Sequence, residues 1–315
     1  MKALICGVSG QDGAYLARLL LARGYEVVGT SRDATVTGFA ALQRLGIRQQ
    51  VTTVSMAIND FRSVLSTLER HEPDEIYNLA GQTSVGLSFE QPVETIDSVV
   101  GGTLNLLEAI RFTRRAIRFY NAGSGEAFGD TGDVPATEDT SFQPRSPYAV
   151  AKASACWLVR NYRESYGLAA CTGILFNHES PLRPERFVTR KIVLAARRIK
   201  AGSDERLRLG NIDIRRDWGW APEYVAAMHA MMAAGAQRDY IVATGRTESL
   251  RYFVERVFAH FDLDWQQHTE VDAAMLRPSD IPISRACPER TQRELGWTAT
   301  FDVDSVIARM CQDEL

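Results

Sequence analysis

The chain has 315 residues, with 36 Lys plus Arg against 39 Asp plus Glu and a formal charge of −3, so it carries no positive excess for a polyanion and nucleic-acid binding is not expected. Apolar residues make up 45% and charged residues 24%, which excludes a disordered, collagen-like or low-complexity chain and permits a large core. The longest apolar stretches, at 15–28 and 224–236, are broken by Arg18, Arg23 and His229 and fall short of the ~18 residues of a membrane span.

From Met1 the sequence runs straight into a strand-like segment, so no signal peptide is expected. Cys6, Cys156, Cys171, Cys287 and Cys311 form an odd, scattered set without a CxxC pair, which suits a reducing, cytoplasmic setting. The histidines show neither HxxxH nor HExxH spacing, so no metal is expected. Apolar runs at 3–6, 26–29, 75–79, 118–121 and 172–176 alternate with helix-period segments that start near Tyr15, Phe61, Val100 and Ala151. That alternation predicts βαβ units with right-handed crossovers, hence an α/β fold built on a doubly wound, Rossmann-like parallel sheet covered on both faces.

After Asn177 the pattern changes. Pro181, Pro184 and the charged group Arg183, Glu185 and Arg186 predict a loop, and a helix follows over 189–201. A strand over 240–243 is expected to return to the sheet, and 250–260 and 303–310 read as amphipathic helices. The expected organisation is a dinucleotide-binding domain over 1–177, completed by about 216–245, and a smaller, discontinuous C-terminal substrate-binding lobe over 178–215 and 246–315.

Gly7, Gly10 and Gly13 stand at three-residue spacing between the first strand and the first helix. Gly7 permits the tight turn, Gly10 lets backbone approach a pyrophosphate, and Gly13 lets the helix pack against the sheet, with its free N–H groups facing the phosphates. The second strand ends in Thr30-Ser31-Arg32-Asp33. An arginine suits the 2′-phosphate of NADP and an acid the 2′-hydroxyl of NAD, so Arg32 favours NADP while Asp33 keeps NAD open.

Tyr148 and Lys152 are four residues apart, on one helical face, where an ammonium favours tyrosinate and brings the phenol closer to use as a base. Ser124 and Glu126 follow the apolar strand at 118–121, at the carboxyl end where doubly wound sheets bind ligands. His178 and Glu179 read as loop-fixing neighbours, and Trp218 and Trp220 as packing residues.

With these residues in place the chain resembles the extended short-chain dehydrogenase/reductase family and, within it, the GDP-mannose 4,6-dehydratases. The resemblance spans nearly the whole length and rests on GVSGQDGAYLA from Gly7, YNLAGQTSV from Tyr77, GSGEAFG from Gly123, RSPYAVAKA from Arg145, GILFNHESP from Gly173, FVTRKI from Phe187, LGNIDIRRDWG from Leu209 and RPSD from Arg277. It implies a redox-neutral lyase acting on a GDP-hexose. Tyr148 takes the 4-hydroxyl proton as C4 gives hydride to the nicotinamide, Lys152 tunes Tyr148, and Ser124 holds the 4-oxygen. Glu126 then removes the C5 proton and assists loss of the C6 hydroxyl, after which the hydride returns to C6.

By the same matching, Gln11, Asp12, Leu79, Ala80, Tyr148 and Lys152 join the glycines and Arg32 around the cofactor. Asn177, Lys191, Arg216 and Arg277 hold the nucleotide sugar, the arginines at its diphosphate. The resemblance also implies a homodimer or homotetramer, with the helices near Val100 and Ala151 as the dimer surface.

Four departures stand out: Ser124 replaces the usual Thr; Ala57 falls where relatives carry an adenine-binding Asp; Arg32-Asp33 keeps one of two common arginines; and Leu182 replaces a further arginine. The nearest rival is a GDP-4-keto-6-deoxymannose reductase, which shares the Ser-x-Glu and YxxxK machinery. A non-catalytic nucleotide sensor of the same fold is a rival of another class, and the intact quartet Ser124, Glu126, Tyr148 and Lys152 argues against it.

Overall fold

The computed structural model describes residues 1–276 and 278–315. The described strands are β1 (Lys2–Cys6), β2 (Glu26–Ser31), β3 (Thr52–Ser55), β4 (Glu75–Asn78), β5 (Arg118–Ala122), β6 (Ala170–Leu175), β7 (Asn177–Glu179), β8 (Leu207–Leu209), β9 (Arg215–Trp220), β10 (Tyr240–Val242), β11 (Thr247–Ser249) and β12 (Thr269–Val271). Among the described residues, seven of them form one parallel sheet in the order β10-β6-β5-β4-β1-β2-β3. The order runs outward in both directions from β1 and β4. Between two strands of this kind the following helices leave for opposite faces, and a crevice opens at the carboxyl edge.

Both faces are covered, which is why β1, β4, β5 and β6 are buried almost end to end, with the polar Glu75, Asn78 and Asn121 buried among the apolar residues. On one face the helices Gln11–Ala22 and Ala221–Ala233 supply Leu16, Leu20, Met228 and Met232 to a common core. On the other, Phe61–His71, Gly102–Thr113 and Pro147–Tyr166 supply Leu68, Leu106 and Val159. A separate core, centred on Ile192, Trp218, Phe253 and Ile307, joins the helices Val188–Lys200, Leu250–His260 and Val303–Gln312. Above it lies a small sheet ordered β11-β9-β7, parallel between β7 and β9 and antiparallel between β9 and β11.

Several elements differ from the sequence expectation for identifiable reasons. The helix expected near Tyr15 starts at Gln11, one residue after Gly10, and the one expected near Ala151 starts at Pro147. There the Ser146 hydroxyl accepts from the Ala149 N–H at 3.1 Å and proline occupies the first turn, both ordinary start signals. The helix near Val100 is preceded by a wide turn over Asp97–Gly101. Strand β3 was not expected, because an edge strand of sequence TTVS has no apolar run to show. The helix Ala221–Ala233 was seen in the sequence as an apolar stretch alone, since it packs on several sides and lacks a clear polar face. No described helix is long and apolar enough to cross a membrane.

The glycine turn sets a sharp packing limit. A Cβ on Gly13 would fall 2.5 Å from the Gly7 carbonyl oxygen and 2.7 Å from the Val8 Cα, both backbone, whereas one on Gly10 would meet nothing closer than 3.5 Å. We therefore expect Gly13→Ala to lower the unfolding free energy in urea by about 1–3 kcal/mol, and Gly10→Ala to change it by less than about 1 kcal/mol. Equal effects of the two would overturn this account of the turn.

Candidate active site

A cleft of about 510 Å³ opens at the carboxyl edge of the parallel sheet, between it and the second core. Gly7, Gly10, Gln11, Asp12, Gly13 and Leu79 line one end. Ser124, Glu126, Tyr148 and Lys152 line the middle, and Asn177, Lys191 and Arg216 the far end. Ala80 is not among the residues that line the cleft, its backbone lying instead behind Gly7, and Arg277 lies outside the described residues.

The register of the sheet explains the first end. Cys6 pairs with Asn78, and the Leu79 N–H donates to the Cys6 carbonyl at 3.0 Å, so the chain leaving β4 passes directly over Gly7. Gly7 has φ +83°, and a Cβ there would lie 3.0 Å from the Leu79 oxygen and 3.1 Å from Ala80. The helix that follows begins on Gly10 with no side-chain cap, leaving its first N–H groups and the positive end of its dipole toward the cleft. Uncapped N–H groups, a glycine surface without side chains and a turn that only glycine fits are what a dinucleotide diphosphate needs. Arg32 lies outside the cleft, exposed and 2.7 Å from Glu94. Asp33 is engaged locally, accepting from the Thr35 N–H at 2.9 Å and its hydroxyl at 2.6 Å.

The turn is tied to β7 by a buried polar network. Gln11 donates to the His178 carbonyl at 3.2 Å and accepts from the Ser180 hydroxyl at 2.8 Å. His178 Nε2 sits 2.9 Å from Asp12, and Nδ1 lies 2.7 Å from the Phe176 carbonyl oxygen. Burial opposes ionisation of Asp12, but the His178 charge and hydrogen bonds from His178 and Gln11 outweigh it and hold the carboxyl down to about 2. Burial likewise disfavours the His178 cation, and Asp12 more than compensates, so the imidazole titrates above its ordinary value.

In the middle of the cleft, β5 ends at Ala122 and the Ser124 hydroxyl accepts from the Glu126 N–H at 3.3 Å, starting the short turn Gly125–Phe128. Lys152, buried, donates to the Ala122 carbonyl at 2.7 Å, and its Nζ lies 5.8 Å from the Tyr148 ring centroid. Burial is the largest influence on both. It pushes the Tyr148 phenol up to about 12, against a hydrogen bond from Ser124, and pulls the Lys152 ammonium down to about 8. The sequence expectation had the Lys152 ammonium bringing the phenol closer to use as a base; burial instead lifts the phenol above its ordinary value. Glu126 lies 3.9 Å from Arg216, whose buried guanidinium donates to the Ile281 carbonyl at 2.8 Å. Lys191 donates to the Arg208 carbonyl at 2.6 Å.

Among the described cleft residues that the sequence reading did not assign to the site, two stand out: His178, read there as loop-fixing, and Arg183. His178 is part of the site wall as well as of the network beneath it, and Arg183 enters the cleft from the expected loop. The Arg183 guanidinium stacks 3.9 Å from the Phe187 ring centroid, 3.4 Å from Glu179, and its charge is felt at Tyr148, Asp12 and His178. A dense group of charges directly after a buried strand was the available signal.

The sequence pattern of a family described as GDP-mannose 4,6 dehydratase matches residues 4–310. The Arabidopsis thaliana protein GDP-mannose 4,6 dehydratase 1 is 41% identical, the alignment covering 99% of this chain and 89% of that one. In fold, the chain resembles the Streptomyces venezuelae dTDP-glucose 4,6-dehydratase DesIV with NAD and TYD bound, at TM-score 0.88 and 22% identity over 99% of this chain and 96% of that one. It also resembles RMD from Pseudomonas aeruginosa complexed with NADPH, at TM-score 0.81 and 23% identity over 99% and 98%.

Pairing raises the folded-state pKa of His178 above its ordinary 6.5, so its stabilisation is complete below pH 6.5 and is lost as pH rises through the raised value. Urea unfolding of wild type and His178→Asn should therefore differ by about 1–3 kcal/mol at pH 5.5 and by clearly less at pH 9. A gap that does not shrink with pH would refute the charged pair.

Proposed function

Since this chain belongs to the GDP-mannose 4,6-dehydratase family and catalyses the 4,6-dehydration of GDP-mannose, a lyase reaction, we propose how its cleft divides that work. The observation that carries the proposal is the convergence of Ser124, Glu126, Tyr148 and Lys152 in one cleft with the glycine turn. A nicotinamide dinucleotide is the cofactor, and when bound it supplies the acceptor, and later the donor, for the hydride that moves from C4 to C6 of the sugar.

Tyr148 accepts the proton of the 4-hydroxyl, and Ser124, which lines the same stretch of the cleft, donates to the same oxygen. Lys152, fixed on the Ala122 carbonyl, supplies positive charge behind the phenol as it ionises. The 4-ketone acidifies the C5 proton. Glu126 takes that proton and passes it to the C6 hydroxyl, which leaves as water. Tyr148 then gives back a proton, exchanged with solvent, at C5, so the product is GDP-4-keto-6-deoxymannose. Asn177, Lys191, Arg216 and Arg277 bind the phosphates and nucleotide; for Arg216 the support is its place 3.9 Å from Glu126, where a guanidinium meets both substrate and base.

The finer cofactor reading is NADP, held by Arg32 at its 2′-phosphate. What supports it is the exposed Arg32 at the end of β2 beside an Asp33 whose carboxylate already serves Thr35. The same reading divides the chain into a cofactor domain over 1–177 with about 216–245 and a nucleotide-sugar lobe over 178–215 and 246–315. Support comes from β10, which joins the parallel sheet after the chain has left it. A homodimer through the helices Gly102–Thr113 and Pro147–Tyr166, with a homotetramer as the larger alternative, is supported by Leu104, Val150 and Trp157, which stand exposed there. A cytoplasmic setting fits the free cysteines.

Incubated with GDP-mannose in D2O, the enzyme should give a product lighter by one water, carrying one deuteron at C5, with no lasting absorbance of reduced nicotinamide. Tyr148→Phe should lower kcat/KM about 10²–10⁴-fold while dinucleotide binding persists, and Glu126→Gln should abolish deuterium entry at C5. Label at C5 in Glu126→Gln would remove Glu126 from the base role. Separately, Arg32→Ala should weaken NADP binding about tenfold or more and leave NAD binding unchanged; parallel losses for both would sink the assignment of the 2′-phosphate.

A further inference from the structure

We infer that Asp313 is a positioning residue for the substrate end of the cleft, clasping the first turn of the helix Val188–Lys200 to the cofactor side of the molecule. Asp313 follows the helix Val303–Gln312 and adopts φ +59°, a conformation that a non-glycine residue seldom takes without local reason. Its carboxylate receives two guanidiniums from different parts of the fold: Arg190 at 3.1 Å and Arg44 at 2.8 Å.

The two arginines differ in what they need. Arg190 is buried, only 7% exposed, and one of its terminal nitrogens has no hydrogen-bond partner, so Asp313 carries the burden of keeping that cation in place. Its immediate neighbours Thr189 and Lys191 both line the cleft. Arg44 belongs to the short helix Ala40–Arg44 after β2, and it also donates to the Pro181 carbonyl at 3.0 Å. Pro181 follows Ser180, which is hydrogen-bonded to Gln11 in the glycine turn. Asp313 thus closes a ring of contacts from cofactor turn to substrate helix. The segment beside it is held independently, because Arg197 donates to the Cys311 carbonyl at 2.8 Å, so the carboxylate is presented rather than left on a fraying end.

Without the carboxylate, the buried Arg190 charge would need water, and the helical turn that carries it would shift outward together with Thr189 and Lys191. The expected signature is weaker substrate binding with intact chemistry. This rests on the reading that the end of the cleft lined by Thr189 and Lys191 holds the nucleotide sugar.

Steady-state kinetics with GDP-mannose at saturating cofactor test it. Asp313→Asn should raise KM about tenfold with kcat within about threefold of wild type, and Asp313→Glu, which keeps the charge, should restore KM to within about threefold. Arg44→Met leaves Arg190 paired and provides a second, milder variant that should raise KM in the same direction with kcat unchanged. Unchanged KM in both Asp313→Asn and Arg44→Met, or a loss of kcat and melting temperature that Asp313→Glu does not repair, would overturn the clasp. Lys191→Met run alongside separates the two claims. Unchanged KM there with a raised KM in Asp313→Asn supports the clasp and removes Lys191 from substrate binding, whereas the reverse removes the clasp alone.

Discussion

A single buried hydrogen bond fixes the geometry on which the cleft depends: the Lys152 ammonium against the Ala122 carbonyl, 2.7 Å apart. It joins the middle of the site, on the helix Pro147–Tyr166, to the carboxyl end of β5. Because Tyr148 lies one helical turn before Lys152 and Ser124 two residues beyond Ala122, one contact between a helix and a strand end determines how far apart phenol and hydroxyl stand. An ammonium in an apolar interior needs such a partner, and burial already makes its charge less favourable than in water.

Burial acts on the neighbouring phenol in the opposite sense on the pH scale and for the same reason, since an isolated phenolate is also disfavoured there. A low dielectric penalises separate charges more than charges held together, so ionisation of Tyr148 depends on the positive groups around it and on the Ser124 hydroxyl. Arg183, resting on the Phe187 ring and near Glu179, contributes one of those positive groups from the far wall. The cleft is therefore an electrostatic unit whose parts come from β5, a helix after it, and the segment following β7.

Much of this was legible in the residues because local chemistry and global fold agree. Buried parallel strands are rich in apolar residues, and the glycine spacing, the Tyr-Lys pair and Ser124 with Glu126 each occupy positions whose role is local in sequence. What escaped was decided by tertiary contact. Strand β7, of sequence Asn-His-Glu, has no strand-like composition and exists because it pairs with β9 at Trp218 to Trp220. His178 gains significance only once the fold places Asp12, 166 residues away, 2.9 Å from its ring. Likewise Asp313 looks like an ordinary residue near a chain end until Arg44 and Arg190 are brought to it.

The late return of β10 to the parallel sheet bears on how the chain can be made. During synthesis the strands through β6 emerge first, and until residue 242 has left the ribosome β6 presents an unpaired, wholly buried-type apolar edge. Such an edge is a template for intermolecular strand pairing, and β10 is the strand that covers it. The excursion through the lobe that precedes β10 is thus also a delay in sealing the sheet.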